Sequence, residues 1–214
     1  GEPPQVVPEF VDDPLPESPG RRSDLRRELG GTDGRAVVVG AGSGSVRKGL
    51  DLFAESAAEY DRRWPGQAAF SWFGGRSDPL WPIVSAEIER LALPVTLRPS
   101  VPDLTPYLAA ADVFLHPARR DAFPLVCLHA ALAGTAVVAF EGGGGMSEMF
   151  GPTACLWPYP DLVSMVEAVH DLATTDAGHE LGARQGDYAR QRFTTGAAAP
   201  LVYEHLLEAA GATR

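Results

Sequence analysis

The residues best placed to do chemistry surround the turn Asp-Ala-Phe-Pro at positions 121–124, directly before an apolar segment, 125–133, with helical spacing. A proline in the first helical turn is harmless, because the N–H that it lacks would have no partner inside the helix. The helix start presents unpaired N–H groups and the positive end of the helix dipole, which together favour an anion such as a phosphate. Pro124 has no N–H to offer. The predicted donors are the backbone N–H groups of Phe123, Leu125 and Val126.

A glycine-rich turn supplies a second set of candidates, in the sequence VVVGAGSGSVRKGLDLF at positions 37–53. Arg47 and Lys48 stand where the next helix begins. The pattern is not a good dinucleotide fingerprint, because Ser45 displaces the third glycine and the next strand ends in Phe-Gly-Gly-Arg (73–76), without an acid to hold a ribose. It is not a P-loop either, since no serine or threonine follows Lys48. The turn therefore offers a cation near a predicted anion-binding helix.

These candidates need a scaffold, and the hydrophobic pattern predicts an α/β fold with a doubly wound parallel sheet of about six strands. Short apolar runs alternate with segments of helical periodicity from residue 36 onward. Ligands bind outside the carboxyl ends of the strands in such a sheet, which is where both turns fall. The predicted strands are 36–39, 68–73, 95–97, 112–115, 135–140 and 154–157. The predicted helices are 48–63, 79–93, 104–110, 125–133, 147–150, 162–173, 180–193 and 197–209.

The composition is that of an ordinary globular protein, with 45% hydrophobic and 21% charged residues. A net charge of −10 argues against a nucleic-acid partner, and no apolar run approaches the roughly 20 residues that cross a bilayer. Cys127 and Cys155 lie in apolar segments without the spacing of a zinc site or a disulfide framework, so we expect buried thiols in a reducing, cytoplasmic setting. No cluster of histidines, cysteines or acids predicts a metal site.

The predicted domain organisation has three parts. Residues 1–34 form a proline-rich linker and inter-domain segment, residues 35–195 a Rossmann-like domain, and residues 196–214 a C-terminal helix that packs back on this domain or towards another one. Six prolines in the first 20 residues favour an extended backbone there. The side chains expected to dock are Val6, Val7, Phe10 and Val11. Because the first residue is glycine, we expect the chain to be part of a longer protein.

Taken in order, four motifs resemble the carboxyl-terminal domain of retaining glycosyltransferases of the GT-B architecture, the glycosyl transferases group 1 type. They are RKGLDLF after the glycine turn, WFGGR, VTLRPSVPDLTPYLAAADVFLHPARRDAFPLVCLHAALAGTAVVAF, and GGGGMSEMF. The resemblance covers positions 37–203. It implies a Rossmann-like domain that binds a nucleoside-diphosphate sugar as its donor substrate, requires no metal or other cofactor, and faces an amino-terminal domain of the same chain across the reaction cleft.

The resemblance also implies how the diphosphate is bound. Lys48 matches the family lysine that binds the diphosphate. The family arginine six residues earlier falls on Gly42, so Arg47 or Arg76 would have to supply the second positive charge. The backbone N–H groups of the turn at 123–126 would also donate hydrogen bonds to the diphosphate.

For the sugar and the nucleoside, the resemblance points to two altered positions. Asp121 and His129 stand where the family has two glutamates, seven residues apart, that hold the sugar and the ribose. A neutral imidazole offers one donor and one acceptor, so His129 makes one ribose contact or stacks on the base. Lys48 and Asp121 are the expected catalytic residues. The expected substrate-binding residues are Gly42, Ser43, Arg47, Arg76, Ser100, Val101, Phe123, Pro124, Leu125, Val126 and His129, with Ser100 and Val101 covering the base.

Three functions remain open from the sequence. The leading hypothesis is the donor-binding half of a glycosyltransferase that moves a hexose with retention of configuration and needs the rest of its chain for turnover. The alternative is a degenerate domain that acts as a non-catalytic scaffold, because Gly42 and His129 both replace charged ligands. A sugar-nucleotide epimerase would need acids and a histidine in the crevice that the sequence does not assemble. His116 and Glu148 are expected to be structural, and any peripheral membrane contact would come from other regions of a longer protein.

Overall fold

A computed structural model describes residues 9–14, 16–75 and 78–210, and it confirms the predicted α/β fold. The strands are β1 (Ala36–Ala41), β2 (Ala68–Gly74), β3 (Val95–Pro99), β4 (Val113–His116), β5 (Ala136–Phe140) and β6 (Leu156–Trp157). They form one sheet in the order β3-β2-β1-β4-β5-β6, and all neighbours are parallel. The strand order reverses between β1 and β4, which is the point where doubly wound sheets bind ligands.

The predicted helices are present, three of them with starts shifted by two or more residues, and one further helix precedes β1. They are α1 (Pro19–Glu28), α2 (Leu50–Arg63), α3 (Leu80–Leu91), α4 (Thr105–Ala109), α5 (Leu125–Leu132), α6 (Met146–Phe150), α7 (Leu162–Thr174), α8 (Asp176–Phe193) and α9 (Thr195–Ala209). The start of α2 leaves Lys48 in the preceding turn rather than in the helix. The start of α8 lies four residues before the predicted Glu180, because the side chain of Thr175 caps the helix by accepting from the Ala177 N–H at 3.3 Å.

Both faces of the sheet are covered, so the central strands are buried along their whole length. Every residue of β1, β2, β4 and β5 is buried. Alternate residues point to opposite faces: Val37 and Val39 pack towards α5 and α8, whereas Val38 packs towards α2, α3 and α7. The apolar runs in the sequence reflect this two-sided burial, which is typical of parallel sheets. The fold thereby holds the loops at the carboxyl edge on a rigid base.

Helix α1 corrects the expectation of an extended backbone through residue 20. Pro19 takes the first helical position, where proline is favoured, and the Ser18 side chain accepts from the Arg21 N–H at 3.4 Å. Arg26 then reaches the sheet, where its guanidinium donates to both carboxylate oxygens of Asp112 at 2.9 and 2.8 Å. Asp112 also accepts from the Val37 N–H at 2.7 Å, so the pair joins α1 to the start of β1. Local composition could not predict this long-range contact.

The segment before α1 also docks on the fold. Val11 is buried, and its N–H and C=O bond to Phe193 and Thr195 at 2.9 Å each. The predicted docking of Val11 is therefore confirmed, and Phe10 is partly buried. Val6 and Val7 lie outside the described residues.

We expect Arg26→Ala to lower the free energy of unfolding by about 2 kcal/mol, because it leaves a largely buried carboxylate without its bidentate partner. Arg27→Ala is the matched control, since Arg27 lies on the same helix and pairs with the exposed Asp24. Exposed pairs contribute at most about 1 kcal/mol. Urea unfolding of the two variants measures the difference. Equal losses would show that α1 is not anchored through Asp112.

Candidate functional site

Lys48 and Asp121 meet at the carboxyl edge of the sheet. Lys48 lies in the turn between β1 and α2, and Asp121 lies in the loop between β4 and α5. The Lys48 Nζ atom forms an ion pair with the Asp121 Oδ2 atom. Only 18% and 13% of their side-chain surfaces are exposed, so water screens the pair weakly. The structure thus brings the two expected catalytic residues together in the crevice between β1 and β4.

Arg119 fixes the turn that carries Lys48. Its guanidinium donates to both carboxylate oxygens of Asp51, in the first turn of α2, at 2.8 Å each. It also donates to the Val46 carbonyl at 2.8 Å, and the Arg119 N–H bonds to the Arg47 carbonyl at 3.0 Å. The carboxylate of Asp51 raises the pKa of Arg119, which keeps the guanidinium charged. These contacts tie the β1–α2 turn to the β4–α5 loop and so set the position of Lys48.

The run of four glycines fixes the backbone around Asp121. The Asp121 N–H bonds to the Gly143 carbonyl at 2.6 Å, and the Gly145 N–H bonds to the Ala122 carbonyl at 2.8 Å. At Gly144 a Cβ atom would lie 1.7 Å from the Asp121 carbonyl oxygen, so only glycine allows this approach. The loop after β5 therefore holds the loop after β4 through main-chain contacts.

Helix α5 begins at Leu125, as the proline turn predicted. Its N-terminal cap position is Pro124, whose carbonyl accepts from the Cys127 N–H at 2.8 Å. Within the described residues, the N–H groups of Phe123, Leu125 and Val126 have no hydrogen-bond acceptor. Together with the helix dipole, they form a site for an anion next to the Lys48–Asp121 pair.

His116 lies behind this pair, at the end of β4. Only 3% of its side chain is exposed, and burial lowers the pKa of the imidazole, so His116 is neutral at pH 7. Its Nε2 atom is 3.5 Å from Asp121 Oδ2 and makes no hydrogen bond within the described residues. Burial alone would raise the pKa of Asp121, but His116 and Lys48 outweigh it and lower that pKa from 3.8 to about 2.

This pKa shift gives a prediction about pH. Because the pKa of Asp121 is lowered, its pairing stabilises the fold fully above pH 3.8, and the stabilisation is lost as the pH falls from 3.8 towards 2. A titration of the ¹³Cγ chemical shift of Asp121 should have its midpoint near 2, and Lys48→Met should move that midpoint up. A wild-type midpoint at or above 3.8 would contradict the ion pair.

Two connected depressions lie beside the pair, on the side towards β2 and β3. The first measures about 380 Å³ and is lined by Ala41, Gly42, Ser43, Phe73, Gly74, Gly75, Ser100, Val101 and Leu104. The second measures about 230 Å³ and is lined by Val101, Pro102, Asp103, Leu104, Thr105, Leu108, Val126 and His129. They share Val101 and Leu104, and their volumes suit a small-molecule ligand.

Most of the expected substrate-binding residues line this surface. Gly42, Ser43, Ser100 and Val101 lie in the first depression, and Val126 and His129 lie in the second. Burial lowers the pKa of His129, against the opposing charges of Asp103 and Asp12, so its half-buried imidazole is neutral at pH 7. As a neutral ring it can donate one hydrogen bond and accept another.

Of the two candidates for the second cation, only Arg47 is described by the structure, and it makes no contact with the pair. The exposed Arg47 side chain donates to the Arg120 carbonyl at 3.1 Å. Arg76 lies outside the described residues. Conversely, Phe73 and Leu104 line the first depression although the sequence analysis did not select them. Phe73 lies near the end of β2 and Leu104 lies in the loop after β3, and this position at the carboxyl edge of the sheet was the available signal.

Neither a metal-ligand cluster nor a membrane-spanning helix occurs in the described part of the chain. There, no group of three or more His, Cys, Asp or Glu side chains is arranged to hold a metal ion. Cys127 is buried, as expected, while Cys155 is partly buried. In the same ranges, every helix is too short or too polar to cross a bilayer.

The parallel sheet, the helix start, the lysine and the adjoining depressions define a domain of the Rossmann-like class. Residues 34–175 match the family described as Glycosyl transferases group 1. The chain belongs to this family, as its motifs indicated.

Curated relatives support the family. The chain is 34% identical over 137 residues to alpha-galactosylglucosyldiacylglycerol synthase of Streptococcus pneumoniae, covering 58% of this chain and 34% of the relative. It is 31% identical over 184 residues to D-inositol 3-phosphate glycosyltransferase of Nocardia farcinica, covering 81% of this chain and 38% of the relative. The aligned segments cover about a third of these relatives, which are roughly twice as long as this chain.

Solved structures show the same fold. HepE from Anabaena, in complex with UDP-glucose, superposes with a TM-score of 0.83 at 23% identity, covering 95% of this chain and 57% of that one. Sucrose-phosphate synthase from Thermosynechococcus elongatus superposes with a TM-score of 0.79 at 22% identity, covering 98% of this chain and 53% of that one. This chain thus corresponds to little more than half of each of these proteins.

Proposed function

We propose that this chain is the donor-binding part of a retaining glycosyltransferase, which transfers a hexose from a nucleoside diphosphate to an acceptor. The observation that carries the proposal is the position of the Lys48–Asp121 pair. It lies at the same edge of the sheet as three unpaired N–H groups at the start of α5 and two depressions that share Val101 and Leu104. A nucleoside diphosphate requires these features: a cation and N–H donors for the diphosphate, and a cavity for the nucleoside.

We assign each part of the donor to particular residues of this site. Lys48 and the N–H groups at 123–126 stabilise the diphosphate as the glycosidic bond breaks and negative charge develops on it. Asp121 accepts hydrogen bonds from sugar hydroxyl groups through Oδ1, which has no hydrogen-bond donor within the described residues. Ser100 and Val101 cover the base, and His129 contacts the ribose. Because lysine and N–H groups balance the charge, the proposal includes no metal ion.

The rest of the reaction cleft belongs, in this proposal, to an amino-terminal domain of the same protein. The curated relatives are roughly twice as long as this chain, which supports that view. The chain by itself then binds donor but turns over little, since the acceptor site lies in the other domain. Reduced cysteines and a nucleotide-sugar donor are consistent with a cytoplasmic location.

Binding and chemistry can be tested separately. Isothermal titration of the chain with UDP, GDP and ADP, and with their glucose conjugates, should give saturable binding for one base. The full-length protein should then yield a glycoside whose anomeric configuration, read from NMR coupling constants, matches that of the donor. An inverted product would disprove retention, and hydrolysis or epimerisation without transfer would disprove the transferase assignment.

A second function, a non-catalytic scaffold, is favoured by two positions. Gly42 and His129 stand where charged ligands of the diphosphate and ribose are expected, and the Arg47 side chain does not contact Lys48 or Asp121. If none of the nucleotides binds the full-length protein at millimolar concentration, the scaffold becomes the better assignment. Saturable binding of any one of them rejects it.

A further inference from the structure

His116 carries an unexplained polar atom in the middle of the site. Its Nε2 atom is buried and has no hydrogen-bond partner within the described residues, and an unpaired buried polar atom destabilises a fold. An acceptor, Asp121 Oδ2, lies 3.5 Å away, which is too far for a strong hydrogen bond. A buried donor that stops short of its acceptor suggests a contact that forms in another state of the site.

Lys48 already donates to the same oxygen. The Lys48 ammonium pairs with Oδ2, and Oδ1 faces no donor within the described residues. Under the proposed function, on which this inference rests, a bound diphosphate competes for the ammonium group with two or more charged oxygens. Asp121 would then lose its partner while it remains largely buried, and an unpaired buried carboxylate is costly.

We propose that His116 is a positioning residue that takes over Asp121 Oδ2 when Lys48 turns to the donor's diphosphate. A shift of the carboxylate by a few tenths of an ångström closes the gap to hydrogen-bond distance. The neutral imidazole, with its proton on Nε2, donates to Oδ2 and adds no charge. Oδ1 stays directed towards the sugar. The exchange therefore keeps the Asp121 carboxylate ordered when the Lys48 ammonium group leaves Oδ2.

The exchange can be observed without any ligand. In chain labelled with ¹⁵N-histidine, Lys48→Met removes the competing ammonium group, so the Nε2 proton of His116 should move downfield and exchange more slowly with water. UDP added to the wild-type chain should produce the same change. His179, which is exposed on α8, supplies a reference signal that should not move. A His116 signal unchanged in both experiments would overturn the inference.

Binding data distinguish positioning from a merely structural role. Because Asp121 holds the sugar, His116→Leu should weaken UDP-glucose binding about tenfold, the effect of one hydrogen bond, and leave UDP binding within about twofold. His116→Gln keeps an N–H donor and should retain most of the affinity for UDP-glucose. If His116→Leu weakens UDP and UDP-glucose equally, the role is structural and the inference fails. If the wild-type chain binds no nucleotide, the proposed function fails, while the Lys48→Met spectrum still tests the exchange.

Discussion

Lys48→Ala is expected to weaken the binding of a nucleoside diphosphate by about 3 kcal/mol, more than a hundredfold in Kd. Two effects add. The diphosphate loses a charge-assisted hydrogen bond from the ammonium group, and it meets the Asp121 carboxylate, which is largely buried and no longer neutralised. Isothermal titration with UDP, or with whichever nucleoside diphosphate binds the wild-type chain, measures the change.

The double variant Lys48→Ala/Asp121→Ala separates these two effects. Removing the carboxylate abolishes the repulsion, so the double variant should bind the diphosphate more tightly than Lys48→Ala alone, although still more weakly than the wild type. Arg90→Ala is the control for net charge, because Arg90 pairs with Glu87 on the exposed side of α3. An Arg90→Ala effect as large as that of Lys48→Ala would mean that overall charge, not the site, governs binding.

The sequence predicts the fold well because the sheet depends on patterns that are visible locally. Each strand is a short apolar run, and its burial on both faces is the reason for that composition. The start of α5 at Leu125 follows from the proline before it. Helix α1 was not predicted within the first 20 residues, since its anchoring depends on Arg26 meeting Asp112, 86 positions away. No local propensity encodes that contact.

For the site, residue types and strand ends were sufficient to select Lys48 and Asp121. The resemblance to a family suggested that they act on one ligand. The sequence could not show that they form an ion pair, or that His116 lies beside the same carboxylate oxygen, because these facts depend on how three loops cross. Nor could it show that Arg119 holds α2 through Asp51. The Lys48–Asp121 and Arg119–Asp51 contacts join positions more than 60 residues apart and appear only in three dimensions.

Gly49 is the position where a single methyl group is expected to disturb the site most. Its φ angle is +77°, a region that costs other residues about 1–2 kcal/mol. A Cβ atom there would lie 2.2 Å from the Pro117 carbonyl oxygen, closer than any real contact. The β1–α2 turn therefore has to move away from the β4–α5 loop. We expect Gly49→Ala to lower the free energy of unfolding by about 3 kcal/mol or more.

A second glycine separates backbone strain from the clash. Gly134 has a φ angle of +82°, and a Cβ atom there would meet nothing within 4 Å, so Gly134→Ala tests strain alone and should cost about 1 kcal/mol. Because the turn after β1 carries Lys48, Gly49→Ala should also weaken nucleotide binding, whereas Gly134→Ala should not. Urea unfolding and isothermal titration of both variants test this. Equal destabilisation by the two substitutions would mean that the β1–α2 turn can move away from Pro117 without a loss of stability. The close contact between these loops would then not be what positions Lys48.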